Sequence, residues 1–493
     1  MSDSPTSAQP ALHQSTNAAR VAGLRGVWLL VAGLLVAALA AANAMTPLPA
    51  VFVGSDSFPI LVTSQYENLG ELFTVMTTRL MPDYYPGAYY RPVAGLIWGA
   101  EYAAWGLDAR PYLWVNVCLH VINALLLIPL AKALFGQRSM VGWWAALLFA
   151  SLPFSVDNVA VLARLPDLLS GVLITSVLVV HFRARAKESA PVLACVLCLI
   201  ALGVKESAYI LAPLIVAGHL IAGEGLTKTL KKSWPYIILL LLFLALRISV
   251  LGGMGGSIGA QAQHGSLGQI PLDFLSTLAL PFGVRESWSA ATGTSIAIRI
   301  VGALLLAGGY AVVSQRSTSR PKAEITSAPR GGLGILACWV LLLILAALPA
   351  GHFERRYAYL ASIPAMLLIA SLLVHAVNFP KLKPLANVAA LLVAWNFTFA
   401  PVFGGYDEWR DGGVIVNRYL EEVDQIVADS DPTTSTLTFP DCPRLLIYAD
   451  RVPNIPQAYL LGKRSLRAYL ALRYPNRDIT INARTKTVTE PPP

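Results

Sequence analysis

The sequence predicts an all-α polytopic membrane protein of about eleven transmembrane helices with a small α/β domain at its C-terminal end, and three observations predict it. Hydrophobic residues make up 55% of the 493 positions and charged ones only 13%, with a mean hydropathy of +0.58, a balance that soluble chains of this size do not reach. Apolar runs long enough to span a bilayer recur along the chain. The connectors between them alternate between basic and nearly neutral, as the positive-inside rule requires.

The runs fall near residues 26–45, 112–134, 140–160, 167–183, 190–204, 207–222, 234–251, 294–314, 332–349, 357–377 and 385–403. Residues 1–24 read as a disordered cytoplasmic N-terminus, and the first run, "GVWLLVAGLLVAALAAANAM", follows Arg20 and Arg25 and reads as a retained anchor. "GQRS", "RARAK", "TKTLKK", "SQRSTSRPKAEITSAPR" and "PKLKP" then fall on the same side as those two arginines. The other side receives a first loop over 46–111, a Gly-rich loop after 251 and a tail over 405–493, leaving 25–404 as the membrane domain. "VAGLIWGAEYAAWGL" (93–107) is short and holds Glu101, so it reads as a helix in the outer interface; counting it as a span would invert every later connector.

In the tail, "DEWRDGGVIVNRYLEEVDQIVA" has helical spacing, and "STLTFP", "RLLIYA" and "DITINA" read as short strands. The expected location is the cytoplasmic membrane of a prokaryote, multi-pass, with the tail outside. The net charge of +9 comes from scattered loop residues without a nucleic-acid-binding motif, so nucleic acid is not an expected partner; membrane lipids are. Cys118, Cys195, Cys198 and Cys338 lie in apolar runs, which leaves Cys442 without a partner, and "CVLC" at 195–198 reads as helix packing.

Charges that the topology does not require stand out on the outer side: Arg79, Arg91, Arg110, Arg164, Lys205, Arg285, Arg355 and Arg356, with Asp56, Asp157 and Asp167 among them. Cations and carboxylates gathered at one membrane face suit an anionic lipid headgroup together with a proton acceptor. Plainer roles stand beside these. Arg79, Arg110 and Arg285 read as snorkelling to lipid phosphate; Asp56 and Asp167 suit helix caps as well as chemistry; Lys205 and Glu206 suit a structural pair. Tyr89, Tyr90, Tyr357 and Tyr359 read as an aromatic belt.

A carboxylate directly after the first span, then "YYRP", "ARLPDLLSG", "GVKES" and "HFERRYAYL" in that order, resembles the GT-C superfamily of polyprenyl-phosphate-sugar glycosyltransferases. The nearest branch is that of the protein O-mannosyltransferase-like enzymes, which includes the transmembrane and tetratricopeptide-repeat proteins, although the repeats are absent here. The resemblance covers roughly 25–375. It implies Asp56 as catalytic base, Asp167 across the cavity from it, and Lys205 and Arg356 on the carrier phosphate. Arg355, Tyr357, Glu206, Arg91, Arg164 and Asp157 complete the expected substrate contacts. Ser55 stands where the family has a second adjacent acid.

The implied activity is inverting transfer of a sugar, mannose being the family's commonest case, from a polyprenyl-phosphate donor to a hydroxyl of a protein or glycan acceptor on the outer face. No cofactor is required by it; a divalent cation between Asp56 and Asp167 is the one the resemblance admits. The rival reading is a transporter or flippase of lipid-linked sugars, which favours internal repeats and charges deep in the spans.

Overall fold

The computed structural model describes residues 31–41, 48–66, 68–84, 89–136, 140–152, 155–184, 190–253, 330–347, 355–376, 407–446 and 458–489, with isolated positions between them. The expected spans over 294–314 and 385–403, and Arg285, lie outside the described residues but for a few positions.

The helices are α1 (Val31–Ala41), α2 (Ser57–Thr63), α3 (Leu69–Thr74), α4 (Pro92–Trp105), α5 (Ala109–Phe135), α6 (Val141–Ala150), α7 (Val156–Val159), α8 (Leu165–Arg183), α9 (Val192–Val204), α10 (Leu211–Ile221), α11 (Leu226–Leu251), α12 (Arg330–Ala347) and α13 (Ala358–Ala376). Three helical stretches among the described residues are long and apolar enough to cross a membrane: Ala109–Phe135, Leu162–Arg183 and Leu226–Leu251. Shorter apolar helices occupy the other expected positions that are described.

Their contacts close a ring. α6 lies on α5, α5 on α8, α8 on α9, α9 on α11, α11 on α10, α10 on α12, α12 on α13, and α13 returns to α6 while also bracing α8. Inside it, Leu127, Phe149, Ile174, Val177, Leu214, Trp339 and Met366 form one fully buried apolar core. Small residues let the helices close up: a Cβ on Gly142 would lie 2.8 Å from the backbone of Ile128, and one on Gly171 would lie 2.6 Å from Asn123. Val192, Leu193, Val196 and Leu199 on α9, and Leu241 and Leu242 on α11, face outward, as lipid-facing residues do.

Two readings need correction. The third apolar run does not stay helical over 140–160: α6 stops at Ala150, whose following Ser151 turns its hydroxyl back to the Leu148 carbonyl, and the chain then makes the single turn α7 and a 3-10 turn, Leu162–Arg164. Pro153 cannot donate a helical hydrogen bond and disfavours helix in the residue before it. Nor do all the tyrosines form a belt. Tyr90 and Tyr359 are buried, Tyr90 donating to the Met76 carbonyl at 2.7 Å.

The interfacial reading of 93–107 meets a 14-residue helix, α4, about 21 Å long and shorter than the hydrocarbon core. The tail forms α14 (Asp407–Asp429), β1 (Thr436–Thr438), β2 (Cys442–Leu446), β3 (Ala458–Tyr459), α15 (Lys463–Arg473), β4 (Thr480–Asn482) and β5 (Thr485–Val488). β2 pairs antiparallel with β3 and parallel with β5, and β1 pairs parallel with β4. Trp409, Val416, Leu420, Val423 and Val427 line one stripe of α14 and are buried. They share a core with Phe52, Phe58, Trp98 and Tyr112, so the tail and the first loop are held as one apolar body. Within it Phe58 meets Tyr469 of α15 edge to face at 5.2 Å.

Candidate active site at one end of the helix ring

The chain places five charged groups where α4, α8, α9 and α11 end together. α8 begins at a proline, Pro166, the ring being tolerated in a first turn, and this fixes Asp167 in that turn with its carboxylate near the helix N-terminus. α9 ends at Val204 because Lys205 turns extended (φ −162°, ψ 151°), which breaks the helix and swings the lysine across to α8. There its ammonium bonds the Asp167 carboxylate. Asp167 is 3% exposed, so the charges are removed from water together. Burial lowers the Lys205 pKa, with Asp167 opposing.

Glu206, next along, begins a 3-10 turn and points the other way. One oxygen receives Arg91 Nε at 3.1 Å and Nη2 at 2.8 Å, and the other receives Arg247 Nη1 at 2.9 Å. Adjacent residues on such a turn cannot face each other, and Lys205 and Glu206 accordingly pair with distant partners rather than with one another. Arg91 caps α4, lies over the Tyr89 ring at 4.7 Å, and is more firmly protonated than usual: burial works against its charge and the Glu206 carboxylate outweighs it.

Arg247 was not among the residues the sequence singled out. It is 2% exposed, near the C-terminal end of α11, and its guanidinium also reaches the Tyr209 hydroxyl at 3.3 Å. The signal was present, since Arg247 is the one charged residue in the apolar run 234–251.

The turn that carries Asp56 is shaped by Gly54. That glycine has φ +97°, and a Cβ there would lie 2.7 Å from Val161 Cγ1, so the turn carrying Asp56 lies against the segment that runs through Leu162–Arg164 into Asp167. The turn is held from its other side by the tail: Gly54 N–H donates to the Leu460 carbonyl at 2.8 Å, and the Ser465 hydroxyl bonds the Ser55 carbonyl. Asp56 is partly exposed, precedes α2, and makes no capping hydrogen bond with its side chain.

Asp157 accepts from Trp409 Nε1 at 3.0 Å, which ties α7 to α14. Arg164 is partly exposed and makes no ion pair with the described residues. The turn Arg355–Tyr357 lies against α7, and the Arg356 guanidinium stands 5.1 Å from the centre of the Tyr357 ring.

A second buried polar set supports Asp167 from behind. His120 Nδ1 is 2.9 Å from the Tyr359 hydroxyl, and Asn123 Nδ2 donates to that hydroxyl at 3.3 Å and to the Leu168 carbonyl at 2.8 Å. Tyr359 therefore fastens α13 to α5 beside Asp167, a role that reading it as a belt residue missed.

The residues do not fit a divalent cation. Asp167 is engaged by an ammonium, and among the described residues no three His, Cys, Asp or Glu side chains come together as a ligand set.

No family model matches the chain, and no curated protein matches it. Among solved structures it aligns with ArnT from Cupriavidus metallidurans bound to undecaprenyl phosphate at 12% identity and a TM-score of 0.47, covering 93% of this chain and 86% of that one. The apo state of the same enzyme aligns at 11% and 0.44, with the same coverage. The archaeal oligosaccharyltransferase AglB from Archaeoglobus fulgidus, in complex with an inhibitory peptide and a dolichol-phosphate, aligns at 14% and 0.35, covering 92% of this chain and 55% of that one. At TM-scores under 0.5 the alignments carry no inference about this chain's own reaction.

Proposed function

We propose that the chain is an inverting glycosyltransferase that moves a sugar from a polyprenyl-phosphate donor to an acceptor hydroxyl at the Asp167–Lys205 end of the ring. One observation carries the reading. Three cations, Arg91, Lys205 and Arg247, meet two carboxylates, Asp167 and Glu206, in a poorly solvated place at helix ends, and the turn carrying the partly exposed Asp56 packs on Val161, six residues before Asp167. Guanidinium and ammonium groups gathered away from water favour an anion. A lipid phosphate can enter such a place from the bilayer while its chain stays among the outward-facing apolar residues.

The acceptor oxygen attacks the anomeric carbon, the bond from that carbon to the phosphate oxygen breaks, and the electron pair leaves with the phosphate. Negative charge on the leaving group grows in the transition state, so Lys205 and the arginines are worth most there. Asp56 takes the acceptor's proton, a contribution of about 100- to 10,000-fold. Asp167 holds the Lys205 ammonium in place, and Glu206 does the same for Arg91 and Arg247. Arg356, Arg355, Tyr357 and Arg164 extend the site on the same reading. Mannose is the expected sugar, a protein or glycan hydroxyl the acceptor, and the cytoplasmic membrane of a prokaryote the setting, with the tail domain outside.

The test is release of free polyprenyl phosphate from a radiolabelled polyprenyl-phosphate sugar by the purified protein. The wild type releases it. Asp56→Asn loses release by at least about 100-fold and still binds donor. Donor that crosses vesicles intact without cleavage points instead to a flippase, and substantial turnover by Asp56→Asn removes that residue as base.

A further inference from the structure

The polar groups of the helix ring gather at its two ends, Asp167 and Lys205 at one and His181, His219, Glu224 and Lys232 at the other, with Asp167 and His181 fourteen residues or about 21 Å apart on α8. The outward face of α5 carries a feature of another kind. Trp114, Cys118 and Ile122 stand four residues apart on that helix and are exposed, so they form one outward stripe. Trp114 and Cys118 line a groove of about 560 Å³, together with Val115 and Leu119 of α5 and Trp105 from the end of α4. That is a volume typical of ligand sites.

The groove runs from Arg110 to Leu119, nine residues or roughly 13 Å along α5, and is lined almost wholly by apolar atoms. Its two charged residues, Asp108 and Arg110, sit together at one end and are exposed. One Asp108 oxygen caps α5 by accepting from the Arg110 backbone N–H at 3.1 Å, and the second makes no hydrogen bond with a described residue. Trp105 ends α4 and Ala109 begins α5, so the charged end of the groove lies at the corner between the two helices.

An apolar channel along a spanning helix, with tryptophan and both signs of charge at one end, has the form of a phospholipid. Its acyl chain lies along α5 and its headgroup at the corner. Arg110 suits the phosphate, whose oxygens match a guanidinium fork. Asp108 selects the rest of the headgroup. A purely anionic headgroup sets its charge against that carboxylate, and a trimethylammonium has no N–H to give it. A primary ammonium both balances the carboxylate and donates to its second oxygen.

We propose that the groove between α4 and α5 binds a zwitterionic phospholipid that carries a primary ammonium, of the phosphatidylethanolamine type. Its phosphate sits on Arg110, its ammonium on Asp108 and one acyl chain on Trp114 and Cys118. The site stands independently of the transferase reading, since none of these residues has a part in transfer; it needs only that α5 lies in a bilayer.

The test uses the full chain in phosphatidylcholine nanodiscs holding a trace of phosphatidylethanolamine with a photoactivatable diazirine on its acyl chain. Adducts are mapped by peptide mass spectrometry, and the bulk lipid is either phosphatidylcholine alone or an equimolar mixture with unlabelled phosphatidylethanolamine or phosphatidylglycerol. The expected adduct falls within residues 111–119, and the phosphatidylethanolamine mixture lowers it by about twofold or more, a preference on the scale of an exposed ion pair. The phosphatidylglycerol mixture lowers it less. Asp108→Asn keeps the helix cap, because asparagine caps as well as aspartate, and should keep the adduct while abolishing the preference over phosphatidylcholine. Arg110→Gln should weaken the adduct in every bulk lipid. Equal adducts in all three bulk lipids, a preference that survives Asp108→Asn, or labelling spread over other outward helices with no excess at 111–119 overturns the site. So does a doubled mass with Trp114 at the contact, which would make a second copy the occupant.

Discussion

The two polar clusters at opposite ends of α8, α10 and α11 differ in how their charges add up. At the Asp167 end, three described cations meet two described carboxylates; at the His181 end, one lysine meets one carboxylate with two buried histidines beside them. The far end sets two buried histidines in line between a phenol and a carboxylate. Among the described residues the near end counts one more cation than carboxylate, which is what the proposed anionic ligand would meet. Burial alone does not mark a working site. The charge left over after internal pairing does.

Substitutions can test that contrast, beginning with the largest effect. Glu206→Gln leaves Arg91 and Arg247 together without their shared carboxylate, and should cost roughly 3 kcal/mol of stability, read as chemical unfolding in detergent. A loss no greater than that of an exposed ion pair would mean that Glu206 does not hold the two guanidiniums. Gly54→Ala forces a Cβ onto Val161 at φ +97° and should cost about 2 kcal/mol, with turnover falling further than stability because the Asp56 turn moves. Equal losses of both would detach Asp56 from the site.

Glu101 gives the most specific effect. Both its oxygens on α4 are buried without a hydrogen-bond partner among the described residues, and burial pushes its pKa up to about 8. Its folded-state pKa is above the unfolded value, so its contribution to stability is complete below the ordinary carboxyl range and is lost as pH rises toward about 8. The thermal midpoint should therefore decline between pH 5 and 8 in the wild type, and less so in Glu101→Gln. An unchanged slope would place a counter-charge on Glu101.

The helices were legible because hydropathy and period are local properties. The run 112–134 became α5, the spacing in "DEWRDGGVIVNRYLEEVDQIVA" became α14, and "STLTFP" and "DITINA" hold β1 and β4. The pairings were not legible. Nothing local says that Lys205 turns to Asp167 while its neighbour Glu206 turns to Arg91 and Arg247, because that choice is made by which helix ends meet. Arg247 was missed for this reason, being a lone charge in an apolar run whose partner lies 41 residues away. Tyr359 was misread because an aromatic near a predicted membrane boundary has the same local signature whether it faces lipid or binds a buried histidine. α6 ended early at a serine that hydropathy averages over.

The account turns on whether the Asp167–Lys205 end accepts a lipid phosphate. The direct measurement is the affinity of the purified protein for a short-chain polyprenyl phosphate in micelles, compared among the wild type, the double variant Lys205→Gln/Arg247→Gln and the far-end variant His219→Gln. The account predicts about a tenfold or greater loss in the double variant, at least roughly 1.4 kcal/mol, with affinity kept in His219→Gln. Equal affinity in all three proteins would contradict it.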